Sequence, residues 1–390
     1  MAGMLTDLTV AGKLTAKALG RRLRSQVEPA PDLDKFEREM QALLGSASDG
    51  SVRDAIWLSM PGSQVPWVVS DMSLDCGDEV TYFIEGRVYA NRFLDIYVRP
   101  ALQVWCKIGD QGELFRGTRN SHSFVAGYSG ALQFGNYFPN DWTDIHGNRV
   151  QSDDVYASMQ GEVKIVIVRW SGAARDGLQS LLEQGDFEGC LQSELDRLQQ
   201  GDTTPVGWKY LWNVGPAEIY RDKHSHEGRP CIHCRTSSDV GILQKAVDLP
   251  LEESSEISWR WCVEQLPATL REDTLPSHDY LSIAIEFENG RDITYYWSST
   301  LPVGTGYDCP LPNWKGKEYH VVVRSGQSNL GEWLLERRNL YSDYKKYMGE
   351  PPARIVKVWL IANSIFQRNP GECDYADIVL HSKEVETRIL

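Results

Sequence analysis

The residues best suited to chemistry lie in one short stretch, HDYLSIAIEFENGRDITYYW, at positions 278–297. A three-residue loop ending at Gly290, with that glycine in the left-handed region, pairs Glu286 with Asp292 across two strands. A two-residue turn would mix the two faces, so the three-residue loop is preferred. The buried face is then Leu281, Ile283, Ile285, Ile293, Tyr295 and Trp297. The opposite face is Tyr280, Ser282, Ala284, Glu286, Asp292, Thr294 and Tyr296.

The second face sets two carboxylates across from each other beside two tyrosines. A sheet tolerates opposed carboxylates best when they share a proton, a metal or a cationic partner. Glycosidases use paired carboxylates about 5–9 Å apart, which adjacent strands provide. The candidate catalytic residues are Glu286, Asp292, Tyr280, Tyr296 and His278, and the candidate ligand-binding residues are Tyr280, Glu286, Asp292 and Tyr296. The alternative interpretation is the solvated polar face of an antiparallel sheet, with a base such as Arg291 neutralising the acids.

Two further groups of residues have the types that chemistry needs. The stretch KHSHEGRPCIHC (223–234) contains zinc-type ligands, but their spacing fits no standard zinc finger and also suits a strand edge. The pairs His278 with Asp279 and Glu318 with His320 are candidate acid–base couples, although strand-end histidines are more often structural. Walker, GxGxxG, GxSxG and HExxH motifs are absent from the sequence, which removes the usual basis for nucleotide, nicotinamide and serine-hydrolase functions.

The loop at 136–154, NYFPNDWTDIHGNRVQSDD, is rich in oxygen ligands of the kind that calcium takes in sixes to eights. The stretches before it, GDEVTYFIEGRVY (77–89) and LQVWCKIGDQGELFRGTRNSHSFVAGYSGALQFG (102–135), resemble the PA-I type of calcium-dependent galactose-binding lectin. That resemblance implies a jelly-roll sandwich over about residues 55–170 and calcium as the cofactor. Its metal ligands would come from Asn136, Asp141, Asp144, Asp153 and Asp154. The alternative interpretation is a polar surface loop.

The C-terminal half, roughly residues 205–385, resembles a bacterial family of unknown activity, domain-of-unknown-function family 3047. The stretches that carry this resemblance are ISWRWCVEQLP, HDYLSIAIEF, TYYWSSTLPVG, VVVRSG, GEWLLERRNLYSDY and VWLIANS. The final strand, YADIVL, is similar to sugar-binding modules of the galactose-binding-like sandwich type. Fold alone does not fix function, so this likeness predicts architecture only.

The chain of 390 residues is long enough for two domains. Short alternating runs over 55–171 and 205–390 predict two sandwiches, and the leucine periodicity of 172–204 predicts a helical hairpin between them. The N-terminal segment, 1–50, is predicted helical, with a helix over 32–45 that ends at Gly45. Residues 332–349 are predicted to be a helical interruption of the second sandwich. The fold class is therefore mainly β, with two antiparallel jelly-roll or galactose-binding-like sandwiches.

Charge and cysteine usage restrict the partners and the location. A net charge of −14 argues against general nucleic-acid binding, and no segment is apolar enough to span a membrane. The first 26 residues nevertheless carry five basic side chains, which suit either a helix packed on its own protein or a weak contact with a membrane surface or partner. Those basic residues are Lys13, Lys17, Arg21, Arg22 and Arg24. Eight scattered cysteines predict reduced, buried thiols and a cytoplasmic location.

Three functions are consistent with these patterns. The leading hypothesis is a protein that binds carbohydrate or another polyhydroxyl ligand through a lectin-like first domain. The second is an enzyme that acts on a glycan or small substrate at the carboxylate and tyrosine face of the second domain. The third is a scaffold or assembly protein, because 13 Trp and 17 Tyr also suit interfaces.

Overall fold

The computed structural model describes residues 12–13, 15–16, 29–47, 50–92, 96–149, 151–225, 228–383 and 385–390. Most of the basic N-terminal segment, and with it the predicted basic helix, lies outside these residues. Contacts divide the chain into two compact units, with residues 15–202 in one and residues 203–390 in the other. The finer domain bounds predicted from the sequence stay predictions.

The first unit contains a sandwich of two sheets. Its strands are β1 Val52–Pro61, β2 Val68–Leu74, β3 Glu79–Asn91, β4 Ile96–Val98, β5 Val104–Ile108, β6 Ser121–Val125, β7 Gly130–Asn136 and β8 Gln160–Trp170. One sheet has the order β1-β8-β3-β4 with β6 also paired to β3, and the other has the order β2-β7-β5. Alternate residues of β3 and β8, such as Tyr82, Ile165 and Ile167, point into one apolar core between the sheets.

Helices cover the outer face of the larger sheet. The helices of this unit are α1 Leu33–Ser46, α2 Pro100–Gln103, α3 Asp154–Ala157, α4 Ala174–Leu182 and α5 Cys190–Gln200. Phe36 of α1, Leu178 of α4 and Leu191 of α5 form a second core with Val166 and Val168, the outward-facing residues of β8. The helical hairpin between the two sandwiches therefore packs on the first of them.

Glu194 fixes α5 to the sheet. Its carboxylate accepts hydrogen bonds from the backbone N–H of Ser123 at 2.6 Å and from the hydroxyl of Ser121 at 3.0 Å. Arg197, one turn further along α5, pairs with the same carboxylate at 2.6 Å. Burial alone raises the pKa of Glu194, but the arginine and the hydrogen bonds outweigh burial and hold the pKa below its usual value.

The second unit contains a larger sandwich. Its strands are β9 Lys209–Tyr210, β10 Tyr220–His224, β11 Pro230–Ser237, β12 Val240–Pro250, β13 Glu256–Gln265, β14 Tyr280–Phe287, β15 Asp292–Ser298, β16 Gly306–Asp308, β17 Glu318–Ser325, β18 Trp333–Asn339, β19 Arg354–Asn363, β20 Pro370–Ser382 and β21 Val385–Arg388. A short 3-10 helix, Leu275–Ser277, precedes β14, and α6, Leu340–Met348, follows β18. The sheet orders are β10-β11-β20-β13-β18, with β21 on β20, and β16-β17-β15-β14-β19-β12-β9.

One strand pair of the seven-stranded sheet determines how its outer face is covered. Strands β15 and β17 run parallel, with Asp292 opposite Glu318. A parallel pair cannot be joined by a tight turn, so the chain must return along the sheet between the two strands. We call residues 299–317 the return segment. Tyr307 and Cys309 of the return segment contact side chains on the outer face, whereas the inner face, including Tyr295 and Trp297, belongs to the apolar core.

The predicted fold class, two mainly antiparallel sandwiches with helices between them and near the N-terminus, is confirmed. Two local predictions are wrong. Gly45 lies inside α1, which begins after the Asp32 cap and ends at Ser46. The predicted helix at 332–349 is half strand, because Trp333–Asn339 pairs with β13 before α6 begins. The hydrogen-bonded pairing with β13 therefore outweighs the helical preference of these residues.

The cysteine residues are free thiols, as the sequence predicts. All eight cysteines are free, and six of them are buried. The cytoplasmic location that this usage predicts stays a prediction. In the part of the chain that the structure describes, no helix is long and apolar enough to cross a membrane.

Replacing Glu194 with glutamine is expected to destabilise the first unit by about 1–3 kcal/mol at neutral pH, because a buried charged hydrogen-bond acceptor is lost. A lowered pKa stabilises the fold above the pKa of the unfolded group, and that stability is lost as the pH falls through the folded pKa. The difference between wild type and Glu194→Gln should therefore shrink on acidification, as measured by urea unfolding between pH 3 and 7. Asp196→Asn, on the exposed side of α5, is the control and should change little. If the free energy of unfolding of Glu194→Gln is lower than that of wild type by an amount that does not change with pH, this account is wrong.

Candidate functional site

The hairpin of the second domain has the predicted register. Glu286 pairs with Asp292 and Ile285 with Ile293, and Gly290 has a φ of 73°, in the left-handed region. The apolar residues of β14 and β15 face the core, and the polar set lies together on the outer face. The sequence therefore brings together the four predicted ligand-binding residues on one face of the sheet.

That face is buried rather than wet. Tyr280 is 4% exposed, Asp292 is 2% exposed and Tyr296 is fully buried, while Glu286 at the sheet's end is partly exposed. On the edge strand β16, the hydroxyl of Tyr307 donates to the hydroxyl of Tyr296 at 2.9 Å. After β16 the return segment covers part of the face through Cys309, which lies against His278, and Trp314, which lies against Trp359. The outer face is thus an enclosed polar layer, which neither of the two interpretations from the sequence anticipated.

The two predicted carboxylates do not act as a pair. Glu286 accepts hydrogen bonds from Lys357 Nζ at 2.7 Å and from the indole N–H of Trp359 at 3.1 Å, so it has a cationic partner of its own. Asp292 instead lies opposite Glu318 on β17, the strand on the other side of β15. The carboxylate that most affects the pKa of Asp292 is therefore Glu318 and not Glu286.

The pKa values of Asp292 and Glu318 shift in opposite directions. Burial, together with the charge of Glu318, raises the pKa of Asp292 well above its usual value. Burial also raises the pKa of Glu318, but the neighbouring imidazole of His320 outweighs burial and holds that pKa below its usual value. Thr294 Oγ1 lies 2.9 Å from Asp292 Oδ1 and 3.0 Å from Glu318 Oε1. A hydroxyl carries one proton, so a neutral Asp292 that donates to Thr294, which donates to Glu318, satisfies both contacts.

Three potential metal ligands meet beside Glu318. One nitrogen of His278, the sulfur of Cys309 and one nitrogen of His320 lie within 4.8 Å of one another, and all three residues are buried. Cys309 Sγ is 3.4 Å from His278 Nε2, and His320 Nε2 is 3.3 Å from Glu318 Oε1. This group is the one cluster of histidine, cysteine and acidic ligands that the described residues form.

His278, a predicted catalytic candidate, is held by neighbours other than Asp279. Its Nδ1 is 2.6 Å from the carbonyl oxygen of Glu272, so Nδ1 carries the proton and Nε2 is the acceptor that faces the Cys309 thiol at 3.4 Å. Burial, with His320 nearby, lowers the pKa of His278 to about 3, so its ring is neutral. Asp279 instead accepts the backbone N–H groups of Phe366 and Gln367, which makes it a structural residue.

The carboxylates of the 136–154 loop each have partners within the first domain. Asp141 accepts the hydroxyl of Tyr156 at 2.8 Å, Asp144 accepts backbone N–H groups of its own loop, and Asp153 pairs with Arg149. Asp154 is exposed at the start of α3. In this arrangement the oxygens do not converge into the cage of six to eight ligands that calcium takes, so the residues do not fit the ion as folded. Calcium binding stays a prediction.

An aromatic cluster lies beneath that loop. Trp67 and Trp142 stack at 5.7 Å with 17° between their planes, and Tyr137 packs against both rings. Within this cluster and at the adjoining ends of β5 and β7, five buried polar atoms have no hydrogen-bond partner within the described chain. They are Gln103 Nε2, Gln103 Oε1, Asn136 Oδ1, Tyr137 Oη and Trp142 Nε1.

The same residues are close in the fold. Gln103 immediately precedes β5, and its carbonyl accepts the N–H of Tyr137 at 2.9 Å. Val104 pairs with Asn136, the last residue of β7. Asn136 was predicted as a metal ligand, and its Nδ2 instead donates to the carbonyl oxygen of Pro61. Gln103 was missed from the sequence, because no local pattern marks a glutamine whose amide is buried without a partner.

The histidine and cysteine group at 223–234 is not assembled into a site. Cys234 is in the apolar core, whereas His233 points to the other face of β11, where its Nδ1 is 2.6 Å from Asp374 Oδ1. His224 is exposed, and His226 lies outside the described residues. The strand-edge interpretation of this stretch therefore describes the arrangement seen in the structure.

A cavity of about 270 Å³ opens at the ends of β12 and β20 in the second domain. Leu249, Ile355 and Leu380 form part of its lining, together with His381. His381 Nε2 is 2.8 Å from Ser258 Oγ, and its Nδ1 is 3.2 Å from Glu386. The sequence does not indicate this hydrogen-bonded group, since His381, Ser258 and Glu386 come from three separate strands.

Comparisons with known proteins describe the fold and leave the function open. Residues 215–379 match the family described as "Protein of unknown function (DUF3047)", which confirms the resemblance of the C-terminal half. No curated protein matches the chain. Its resemblance to lectins has a structural counterpart in the N-terminal domain of EclA, described as a PllA-like lectin.

That lectin domain is 13% identical, with a TM-score of 0.23, and the match covers 30% of this chain and 97% of that one. The CBM22-1 and CBM22-2 tandem domain of Xyn10C from Paenibacillus barcinonensis is 10% identical, with a TM-score of 0.25, and the match covers 83% and 82%. TmCBM61, solved with β-1,4-galactotriose, is 9% identical, with a TM-score of 0.25 and coverage of 48% and 94%. The chain thus has distant similarity to lectins and carbohydrate-binding modules, which assigns no function to it.

Asp292→Asn is expected to stabilise the second domain at pH 7–8. A raised pKa stabilises the fold below the pKa of the unfolded aspartate, about 3.9, and that stability is lost as the pH rises through the folded pKa. The amide is neutral at every pH, so the gain should grow from pH 5 to pH 8 in urea unfolding. Glu286→Gln, which loses the Lys357 pair, is the matched control and should destabilise by no more than about 1 kcal/mol. An Asp292→Asn protein less stable than wild type at pH 8 would show that the carboxyl is ionised in the fold.

Proposed function

We propose that this protein binds a carbohydrate or a related polyhydroxyl ligand through the aromatic cluster of its first domain. The observation that carries the proposal is a set of five unpartnered buried polar atoms: Tyr137 Oη and Trp142 Nε1 within the aromatic cluster, and the side-chain amide atoms Gln103 Nε2, Gln103 Oε1 and Asn136 Oδ1 at the adjoining ends of β5 and β7. A buried polar atom without a partner destabilises a fold by about 1–3 kcal/mol, so five of them in one region require an explanation. A polyhydroxyl ligand supplies closely spaced donors and acceptors that match such a set.

The aromatic rings suit the same class of ligand. Sugar rings combine polar edges with apolar C–H faces, and an aromatic side chain offers the flat apolar surface on which such a face packs. Trp67 is partly exposed at the edge of the cluster, whereas Trp142 is 3% exposed beneath the loop. The ligand would reach the unpartnered atoms by displacing part of the 136–154 loop from the aromatic cluster. The resemblance of residues 77–135 to a galactose-binding lectin agrees with this ligand class.

The test is a glycan array probed with the full chain, once with calcium and once with a chelator. Binding to one class of glycan supports the proposal, and its calcium dependence tests the metal prediction separately. The informative variant is Gln103→Leu, which removes two unpartnered atoms at nearly constant volume. It should lower affinity at least about tenfold, equivalent to about 1.4 kcal/mol, while leaving the melting temperature unchanged or higher.

The matched control is Gln133→Leu on β7. The Gln133 side chain is buried too, but its amide donates to Asp110 at 3.0 Å. This variant should therefore lose stability and keep its affinity for the glycan. Absence of glycan binding in both arms of the array, or equal affinity in wild type and Gln103→Leu, would overturn the proposal.

Catalysis at the outer face of the second domain is a second candidate function. It is favoured by the pairing of a neutral Asp292 with an ionised Glu318, because acid–base chemistry on glycans requires one carboxyl in each state. Substrate access would require the return segment to move, since both carboxyls are almost fully buried. Release of reducing ends from any bound glycan, abolished in Asp292→Asn, would support this function. Binding without turnover would leave the first proposal alone.

A further inference from the structure

His320 is the most unusual side chain of the second domain. It is fully buried, and neither of its ring nitrogens has a hydrogen bond within the described chain. Its ring stacks on Tyr307 at 5.1 Å and meets His278 edge-on at 4.7 Å. Packing explains the ring, but of its nitrogens only Nε2 has a polar contact within the described chain, with Glu318 Oε1 at 3.3 Å, which is an ion pair only when the ring is protonated. A neutral ring in this position offers a nitrogen lone pair to a metal.

The neighbouring atoms have the separations that a tetrahedral ion requires. Ligands at about 2.0–2.3 Å from a tetrahedral zinc lie about 3.3–3.8 Å from one another. The sulfur of Cys309 is 3.4 Å from Nε2 of His278, and Oε1 of Glu318 is 3.3 Å from Nε2 of His320. The wider separations, up to 4.8 Å among the two histidines and the cysteine, require small side-chain rotations to close the set.

We propose that His278, Cys309, Glu318 and His320 form a four-coordinate zinc site in the second domain. The ligands come from three segments: Glu318 and His320 lie two positions apart on β17, His278 directly follows the 3-10 helix that precedes β14, and Cys309 is the residue after β16. Residues two apart on a strand share a face, which is why Glu318 and His320 point to the same place. The site extends beyond the carbohydrate-binding proposal, which concerns the first domain.

The surroundings orient these ligands. The Nδ1–H of His278 donates to the carbonyl of Glu272, which directs Nε2 towards Cys309. Tyr280 and Thr294 each place a hydroxyl 3.0 Å from Oε1 of Glu318. Hydrogen bonds of this kind, made by ligands to residues behind them, fix the ligand orientation in known metal sites.

The charges also balance. A divalent ion with one thiolate, one carboxylate and two neutral imidazoles has no net charge, which suits a site in which no ligand is more than 3% exposed. Cysteine and histidine together favour zinc over magnesium or calcium, which prefer oxygen ligands. Full burial with four protein ligands is typical of a structural site, and this one fastens the return segment to the sheet through Cys309.

The first experiment measures metal in the full-length protein purified without chelators. Elemental analysis should find about one zinc ion per chain. After chelation, cobalt(II) should restore tetrahedral d–d absorption and a thiolate charge-transfer band. These measurements need no variant, so they remain decisive if a ligand variant fails to fold. Neither zinc nor a cobalt spectrum, or another first-row metal in place of zinc, would overturn the proposal.

The second experiment assigns the ligands. Cys309→Ser and His320→Gln should each lose the metal, and the cobalt thiolate band should disappear in Cys309→Ser. The matched control is Cys262→Ser, since Cys262 is also a buried thiol of this domain but contacts Glu264 instead. The control should keep the metal and its spectrum. Metal content that is unchanged in both ligand variants would show that zinc binds elsewhere on the chain.

Discussion

The parallel pairing of β15 with β17 is the constraint on which the second domain depends. Every other described strand pair of that seven-stranded sheet is antiparallel, whereas a parallel pair needs a crossover connection. The return segment first forms β16 at the edge of the sheet beside β17, and residues after β16 then contact the outer face through Cys309 and Trp314. That path converts a face that would be wet into an interior, so its carboxyls, hydroxyls and imidazoles must find partners among themselves. The protonation pattern of Asp292 and Glu318 follows from this enclosure.

The two domains bury their polar side chains in different ways. In the first, side chains at the ends of β5 and β7 are closed over by a loop that is held by its own acids, and several amide and hydroxyl atoms remain unpartnered. In the second, an extended crossover closes the site, and most of its polar atoms are paired. Natural proteins pair the great majority of buried polar groups, so exceptions concentrated in two places are informative about ligands.

Much of this arrangement is local and could be predicted from the sequence. Alternation and the glycine at position 290 determine the register of β14 and β15, and leucine spacing predicts α4 and α5. What brings Cys309 to His278 and Glu318 to Asp292 is a pairing between distant segments, which no window of the sequence contains. The same limit explains β18, where pairing with β13 decides the conformation of residues with a helical pattern. The register of Glu286 opposite Asp292 is as predicted, but its basic partner, Lys357, lies on a strand far along the chain and could not be identified from the sequence.

The return segment is also expected to fold and to open on a different timescale from the rest of the second domain. Closing a loop of roughly 20 residues before any strand contact is made slows parallel pairing relative to the neighbouring hairpin. The segment should accordingly be among the last parts to settle and among the first to open in the folded protein. Cys309 lies at the centre of the segment and is 1% exposed, and in the metal-free protein burial raises the pKa of its thiol, so the closed state is unreactive. The rate at which an alkylating reagent modifies Cys309 in that form therefore reports how often this part of the molecule opens.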